Sequence, residues 1–195
     1  FGHKGPAVFP TRPDDTFYIL GVANSHMAEY LLQGLTSFGS WEVGVIKRLP
    51  IPKPSKSQHQ VISKCAQSIH DEKAAWDEGN ETSTRFVQPW LLRRLDAAPA
   101  AALGAALDRL AQDEVEHESL IGRRYGDIND EVYGAYGVPA STREEIEATL
   151  GERPPEILWP QMEGKTAEQK RMEHVWRLLS YSVKRVLEAD DDGIV

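Results

Sequence analysis

Glu114 and His117 have the Glu-x-x-His spacing that puts two metal ligands on one face of a helix in di-iron bundles. Such a site needs a second Glu-x-x-His pair and two further glutamates, and the sequence has no second copy of the pair. The six histidines also do not cluster at ligand spacing. The pattern therefore favours a solvent-exposed acidic helix face, and a free-standing helical metalloenzyme stays open as an alternative.

Other catalytic patterns are missing from the sequence. It contains no GxxxxGK[ST] or GxGxxG nucleotide-binding loop, and no GxSxG motif surrounds a serine. Cys65 lies on the apolar face of a predicted helix, which indicates burial as a small hydrophobic residue rather than a nucleophile. Pro13-Asp14 and Glu163-Gly164-Lys165 could be parts of a nuclease motif, but they lie too far apart to share one hairpin.

Basic residues in the first third of the chain favour binding of a polyanion. Lys47 and Arg48 follow a run of aromatic and β-branched residues, and further cations lie on both sides of it. We expect these cations to contact DNA phosphates and a polar-aromatic loop at 37–41 to approach base edges. The predicted DNA-binding residues are Lys4, Arg12, Ser40, Trp41, Lys47, Arg48 and Lys53, with Lys56 as a further phosphate contact. The alternative is that Lys47 and Arg48 keep a strand edge soluble and that Trp41 belongs to the core.

The first element that would position these residues is a helix. Asp14 or Asp15 is a suitable N-cap, apolar residues follow at helical spacing, and Asn24-Ser25 is a possible interruption. The predicted apolar face is formed by Phe17, Leu20, Ala23, Met27, Tyr30, Leu31 and Leu35.

A strand is predicted next, since Trp41, Val43 and Val45 share one parity in a β-prone run. Pro50, Pro52 and Pro54 remove backbone donors and would end any ladder. The helix and the strand together predict a small α/β segment that ends at the proline run.

Beyond Pro54 the apolar period becomes that of α-helices. The first predicted helix has Val61, Cys65, Ile69 and Trp76 on one face and stops near Gly79; the second has Leu103, Leu107, Leu110, Val115 and Leu120. Capping-box patterns at Ser141–Glu144 and Thr166–Gln169 predict two more, the last running to about Glu188. The predicted fold is α+β and mainly α-helical, with a small α/β N-terminal segment at 1–54 followed by an acidic helical region at 55–195.

Charge and composition limit the class of protein. Residues 1–64 carry seven Lys/Arg and four Asp/Glu, a net +3, whereas residues 65–195 carry fifteen and twenty-six, a net −11. The basic part is therefore the better candidate for DNA. One cysteine excludes an internal disulfide and predicts a cytoplasmic protein, and no apolar run approaches the roughly 20 residues that span a bilayer. The start at Phe1 predicts an excised piece of a longer protein.

The segment Phe17–Pro52, "FYILGVANSHMAEYLLQGLTSFGSWEVGVIKRLPIP", resembles the closing part of a target-recognition region in large adenine-specific DNA methyltransferases. The family it resembles most is PglX of BREX phage-defence systems. Further patches are similar to the downstream helical region of that family, namely "FGHKGPAVFP", "WDEGNETSTRFVQPWLL", "INDEVYGAYGV" and the ending "LLSYSVKRVLEADDDGI". The order of these elements is more specific than any one of them.

The resemblance implies a parent enzyme that transfers a methyl group from S-adenosylmethionine to a flipped-out adenine. The catalytic Asn/Asp-Pro-Pro-Tyr/Phe motif and the glycine-rich cofactor motif of the family are both missing here, so no catalytic or cofactor residue is assigned. The implied role is non-catalytic: the fragment recognises or positions double-stranded DNA for an upstream methyltransferase domain. Its acidic part would contact that domain or other defence-system subunits. The alternative is a helical protein-interaction module with no DNA contact.

Overall fold

The chain folds into α-helices joined by turns and loops. A computed structural model describes residues 7–35, 43–97, 102–151 and 156–190. Three short 3₁₀ helices occur in these residues, at Pro13–Asp15, Asp77–Gly79 and Pro160–Met162. The same residues form eight α-helices: α1 Thr16–Ala23, α2 His26–Leu35, α3 Val43–Ile46, α4 Lys56–Trp76, α5 Trp90–Ala97, α6 Leu103–Tyr136, α7 Ala140–Leu150 and α8 Ala167–Ala189. The prediction of a mainly helical fold is confirmed.

The predicted α/β segment is wrong, because the described residues contain no strand. Val43 and Val45, expected on one face of a strand, instead lie in α3. Val43 is exposed, whereas Val45 and Ile46 pack with Leu49 against a buried cluster on α2. Positions 45, 46 and 49 share one side of a helical turn, so tertiary burial overrides the β-propensity of this short run. Trp41 lies outside the described residues.

The chain divides into two compact units that are discontinuous in sequence. Unit 1 comprises the described residues within Phe1–His70 and Ile121–Pro155, and unit 2 comprises those within Asp71–Leu120 and Glu156–Val195. The sequence predicted a division at Pro54 instead. A change of composition along the chain does not reveal units built from alternating segments, and both α4 and α6 contribute residues to each unit.

In unit 1, Asn24 and Ser25 separate α1 from α2, at the predicted interruption. The buried Ser25 hydroxyl donates to the carbonyl oxygen of Val22 and accepts from the backbone N–H of Ala28, so one side chain links the end of α1 to the start of α2. The predicted apolar face is wrong for these helices: their buried residues are Tyr18, Gly21, Val22, Ala28 and Leu32. The prediction applied one helical period to α1 and α2 as if they were continuous, and it therefore identified the wrong face of each helix as buried.

The rest of the unit 1 core comes from α4, α6 and α7. Cys65 and Ile69 of α4 are buried, as predicted, together with Ile121 and Ile128 of α6 and Ile146 of α7. The helix α7 starts after Pro139 without a side-chain cap, so the predicted Ser141–Glu144 capping box is wrong. The extended Pro139 is the N-cap and α7 begins at Ala140, so Ser141 is already the second helical residue and cannot cap the helix.

Unit 2 is organised around tryptophans. The buried Trp76 stacks on Trp90 with ring centroids 4.8 Å apart and lies 5.9 Å from the ring of Trp159. The indole N–H of Trp90 donates to the carbonyl oxygen of Trp76 at 2.8 Å. At the start of α8, Thr166 and Gln169 form the predicted capping box with both reciprocal hydrogen bonds, and the helix ends at Ala189.

The inward positions of α6 in unit 2 differ from the predicted ones at Leu103 and Val115. Leu107 and Leu110 are buried, as predicted, but Leu103 is 47% exposed and Val115 is 61% exposed. The neighbouring Asp113 and Glu114 occupy the inward positions instead. Within the described residues, no helix combines the length and the apolar character that crossing a bilayer requires.

Candidate nucleic-acid interface

A groove in unit 1 gathers basic side chains at the start of α4. We call it the basic groove; its volume is about 460 Å³. Its polar lining consists of Arg12, Asp15, Tyr18, Lys53, Ser55, Lys56 and His59, and Ile19, Ile51, Pro52 and Pro54 complete it. Two of the predicted DNA-binding residues, Arg12 and Lys53, and the further predicted phosphate contact Lys56 are therefore brought to one place, although Arg12 lies far from the two lysines in sequence.

The start of α4 fixes the positions of two lysines. The Ser55 hydroxyl accepts a hydrogen bond from the backbone N–H of Gln58 at 3.2 Å, and the Gln58 side chain accepts from the backbone N–H of Ser55 at 2.9 Å. This reciprocal pair is a capping box, and it makes Lys56 the first residue of a 21-residue helix. Lys53 lies between Pro52 and Pro54, whose rings restrict the backbone conformation just before the capping box.

Two tyrosine hydroxyls hold the proline segment against the helices of unit 1. Tyr18 of α1 donates to the carbonyl oxygen of Pro52 at 2.9 Å, and Tyr136 of α6 donates to that of Pro50. The ring of Tyr18 also stacks on His59 of α4, with centroids 4.9 Å apart. Burial raises the pKa of Tyr18 to about 12, so the hydroxyl stays a donor at neutral pH.

The charge in the basic groove is mixed. Within the described residues Lys53 and Lys56 form no ion pair, whereas Arg12 makes two hydrogen bonds to Asp15, at 2.7 and 2.8 Å. His59 contacts the same carboxylate at 3.0 Å. The hydrogen bonds from Arg12, and then from His59, lower the pKa of Asp15 to about 2, so Asp15 is ionised at neutral pH. Two lysines thus remain available to an anion, and the N-terminal end of the α4 dipole adds positive potential beside them.

Lys47 and Arg48 lie outside this groove. Both are exposed and directly follow α3. Arg48 lines a different cavity of about 540 Å³ in unit 1, together with Tyr30 and Leu31 of α2, Pro50, and Thr149 of α7. The predicted set therefore falls into two groups, and Lys4, Ser40 and Trp41 lie outside the described residues.

Charge composition alone did not reveal the other members of the groove. Tyr18 was not assigned to the buried side of its helix, Asp15 was considered only as a helix cap, and His59 was not considered. A usable signal was the pattern Ser55-x-x-Gln58 directly after the prolines, which marks a helix start and so places Lys56 and His59 on its first turn.

The Glu-x-x-His pair of α6 is not a solvated face, and that part of the prediction is wrong. Glu114 is only 4% exposed, and its carboxylate contacts Nε2 of His174 at 2.7 Å. Nδ1 of His117 contacts Glu72 at 2.7 Å. Each member of the pair thus has its own partner in unit 2. Within the described residues no group of three or more His, Cys, Asp or Glu side chains is arranged to hold a metal ion.

Cys65 is not available as a nucleophile in this conformation. Its side chain is buried, as predicted, and its thiol lies 3.8 Å from a carboxylate oxygen of Asp127. Burial, followed by the charge of Asp127, raises the pKa of the Cys65 thiol and keeps it protonated.

Comparison with known proteins gives no assignment: no protein family, curated protein or solved structure matches this chain.

Proposed function

We propose that this chain is a non-catalytic, DNA-contacting part of an adenine-specific DNA methyltransferase of a phage-defence system, of the PglX type. In this proposal the basic groove binds a backbone phosphate of double-stranded DNA and helps to position the duplex for an upstream methyltransferase domain. The family assignment is supported by the sequence resemblance. The DNA contact is supported by one observation, the convergence of Arg12, Lys53 and Lys56 at the N-terminus of α4.

The chemistry of the groove suits a phosphate. Lysine ammonium groups bind phosphate oxygens as compact point charges, and the first turn of a long helix favours an anion through its exposed N–H groups and its dipole. The Arg12 guanidinium is already shared with Asp15, so Lys53 and Lys56 carry most of the attraction. Contacts of this kind fix the register of a protein on DNA without reading its sequence.

The distribution of charge favours unit 1 over unit 2 as the DNA-facing part. Unit 1 contains 11 Lys/Arg and 11 Asp/Glu, whereas unit 2 contains 11 and 19, and the two add up to the net charge of −8. A polyanion is repelled by the acidic unit 2, so its contacts are confined to local basic features of unit 1. The acidic surface is then available to the methyltransferase domain or to other defence-system subunits.

The parent enzyme would use S-adenosylmethionine bound by its own catalytic domain, and this chain supplies no residue to that site. Its action on DNA implies a cytoplasmic location. An Asn-Pro-Pro-Tyr motif in a longer reading frame that contains this sequence would support the family assignment, and a longer reading frame without it would contradict that assignment.

The DNA contact is tested by fluorescence anisotropy with a labelled duplex at several salt concentrations. Lys53→Glu with Lys56→Glu should weaken binding by about tenfold or more. The slope of log K against log salt concentration should become shallower by roughly two, about one for each lysine removed. The matched control is Lys184→Glu with Arg185→Glu on α8, which makes the same change in net charge in unit 2 and should have little effect. Equal affinities of the groove double variant and the unaltered chain would reject the groove.

Lys47→Glu with Arg48→Glu tests the second group of predicted contacts separately. A loss of affinity in this variant extends the interface from the basic groove to the end of α3. Unchanged affinity removes these two residues from it and leaves the groove as the DNA contact.

A second candidate function is a helical protein-interaction module with no DNA contact. One observation favours it: α8 directs Trp176, Leu179 and Val183 towards solvent. Absence of DNA binding by the unaltered chain at low salt, combined with a stable complex with a purified protein, would favour this function over the first.

A further inference from the structure

The helix α8 buries polar side chains and exposes apolar ones, which is the reverse of most amphipathic helices. Its buried residues are His174 and Arg177, and the side chain most exposed to solvent among its large apolar residues is Trp176, at 61%. Globular proteins usually bury the apolar side of a surface helix and expose the charged side. In α8 the apolar side faces away from the rest of unit 2.

Specific contacts hold α8 in this orientation. His174 contacts the buried carboxylate of Glu114 at 2.7 Å, and the guanidinium of Arg177 donates to the side-chain oxygen of Asn80 at 3.0 Å. The Arg177 guanidinium also lies 4.7 Å from the ring centroid of Trp159. Rotating the helix to bury its apolar side would leave these buried polar groups without partners, which is costly. The outward direction of the apolar side is therefore a stable property of unit 2.

The exposed apolar residues have the spacing of a helix–helix seam. We call Met172, Trp176, Leu179, Val183 and Val186 the outer stripe; all five are about half exposed or more. They alternate at intervals of four and three residues, which is the a/d pattern of a coiled coil. Leu187, also exposed, widens the stripe at its end. This pattern indicates that the outer stripe is covered by another α-helix, since a partner helix in a coiled coil buries two such residues in every seven.

We propose that the outer stripe packs against the outer stripe of a second copy of this chain, with the two α8 helices antiparallel. The stripe is nearly symmetric about Leu179, which lies seven residues after Met172 and seven before Val186. A two-fold axis near Leu179 therefore sets apolar side chains against apolar side chains over the whole stripe. Such an interface is isologous and closes as a dimer. This pairing is independent of the proposed DNA contact.

Charge next to the stripe is compatible with self-association. The residues that flank its central part are Val175, Ser180 and Ser182, which are neutral. Glu173, the nearest acidic flank, is already paired with Lys165 at 2.7 Å and with Arg177 at 3.5 Å. No unpaired charge therefore lies beside the centre of the stripe to repel the same surface on a second copy. A partner selected by charge would require charged flanks, which this helix does not have at these positions.

The size of the stripe is also adequate for a dimer. Six large apolar side chains, each about half exposed, present on the order of 600 Å² of apolar surface per copy, and standard interfaces bury about 800 Å² per partner. The polar flanks supply the remaining area. Exposed apolar patches of this extent on soluble domains mark interaction sites.

The test is the oligomeric state of the purified full chain, measured by sedimentation equilibrium across a wide range of protein concentration. The unaltered chain should form a dimer, and Val183→Glu should raise the dimer dissociation constant by about tenfold or more. Val115→Glu is the matched control, since Val115 is an exposed valine on α6 with nearly the same exposure, 61% against 59% for Val183. Circular dichroism of both variants checks that they remain folded, because neither side chain is buried.

The orientation is tested by oxidative cross-linking of single-cysteine variants in a Cys65→Ala background. In an antiparallel pair, two Met172→Cys side chains lie about 21 Å apart and do not form a disulfide, whereas Met172→Cys and Val186→Cys chains cross-link when mixed. Self-linking of Met172→Cys would overturn the antiparallel arrangement. A monomeric unaltered chain at all concentrations, or a dimer that Val183→Glu leaves intact, would overturn the proposal.

Discussion

The hydroxyl of Tyr18 donates a hydrogen bond to the carbonyl oxygen of Pro52 at 2.9 Å, and thereby ties α1 to the chain segment that leads into α4. Proline carbonyls accept hydrogen bonds although proline has no N–H to donate, so a side-chain donor is well suited to hold such a segment. Lys53 follows directly. The position of one predicted phosphate contact thus depends on a tyrosine 35 residues earlier in the sequence.

Removing this hydroxyl should affect stability and DNA binding together. We expect Tyr18→Phe to lower the free energy of unfolding by about 1 kcal/mol, the usual net contribution of one hydrogen bond, and to weaken DNA binding because Lys53 is less well fixed. Denaturant unfolding and anisotropy measure the two effects. Tyr30→Phe is the control, since Tyr30 is partly covered, at 38% exposed, but its hydroxyl donates no hydrogen bond within the described residues. Equal effects of the two substitutions would contradict the role of Tyr18.

Alkaline pH should destabilise unit 1. Burial raises the pKa of Tyr18 from about 10 to about 12, and burial also raises the pKa values of Tyr133 and Tyr136. Because these folded-state pKa values lie above the unfolded ones, the stability they contribute is complete below about pH 10 and is lost as the pH rises towards 12. Urea unfolding between about pH 9 and pH 11 should show this decline, and Tyr18→Phe should make it shallower. A stability that does not change over this range would contradict the prediction.

Neutralising Asp15 should strengthen DNA binding. Its ionised carboxylate lies in the basic groove and is shared by Arg12 and His59. Asp15→Asn removes a negative charge beside the proposed phosphate and frees the Arg12 charge, so we expect affinity to rise roughly fivefold. Anisotropy at low salt measures the change. Asp14→Asn makes the same change in net charge at an exposed neighbouring position outside the groove lining, and it should have a smaller effect.

The buried pair of Glu114 and His174 should be important for the stability of unit 2. We expect His174→Ala to lower the free energy of unfolding by about 3 kcal/mol, because it leaves a buried carboxylate without its partner. Glu114→Gln keeps a side-chain acceptor in place and should cost about 1 kcal/mol. The combined replacement Glu114→Met with His174→Leu should be milder than His174→Ala alone, since it removes both polar groups. Denaturant unfolding of the three variants distinguishes a coupled pair from two independent side chains.

Two glycines in helical segments should respond in opposite ways to alanine. A Cβ at Gly79 would overlap the Trp90 ring, which is stacked on Trp76 and hydrogen-bonded to its carbonyl, so Gly79→Ala should cost about 2 kcal/mol. Gly126 lies inside α6 with open space around its Cβ position, so Gly126→Ala should stabilise by up to about 1 kcal/mol. Thermal unfolding of the two variants shows directly whether each substitution stabilises or destabilises the protein.

The success of the sequence predictions follows from the range of the interactions involved. The α8 cap at Thr166 and Gln169 is a local pattern of four residues, and the α4 face is a long uninterrupted period, so both were recognised. The strand at Val43 and Val45 was wrong because packing against α2, which is a tertiary contact, decides the conformation of a short apolar run. The outward side of α8 was not predicted for the same reason, since Glu114 and Asn80 are remote in sequence from the residues they contact.

The basic groove was predicted in part. Charge alone identified Arg12, Lys53 and Lys56, and the structure brings all three into one groove. Lys47 and Arg48 lie elsewhere because the segment after α3 packs through Leu49 and carries Arg48 to a different cavity. The role of Asp15 could not be read from spacing, since its carboxylate contacts His59, 44 positions away, instead of capping α1.

The capping box of Ser55 and Gln58 also has a consequence for the exchange of backbone hydrogens. Lys53 and Lys56 stand on either side of the cap, so they keep their spacing only while the first turn of α4 is formed. An anion that needs both lysines binds only this ordered state and stabilises it by mass action. Binding of DNA should therefore slow hydrogen exchange at the first free backbone amides of α4, and Ser55→Ala should speed that exchange and weaken binding together.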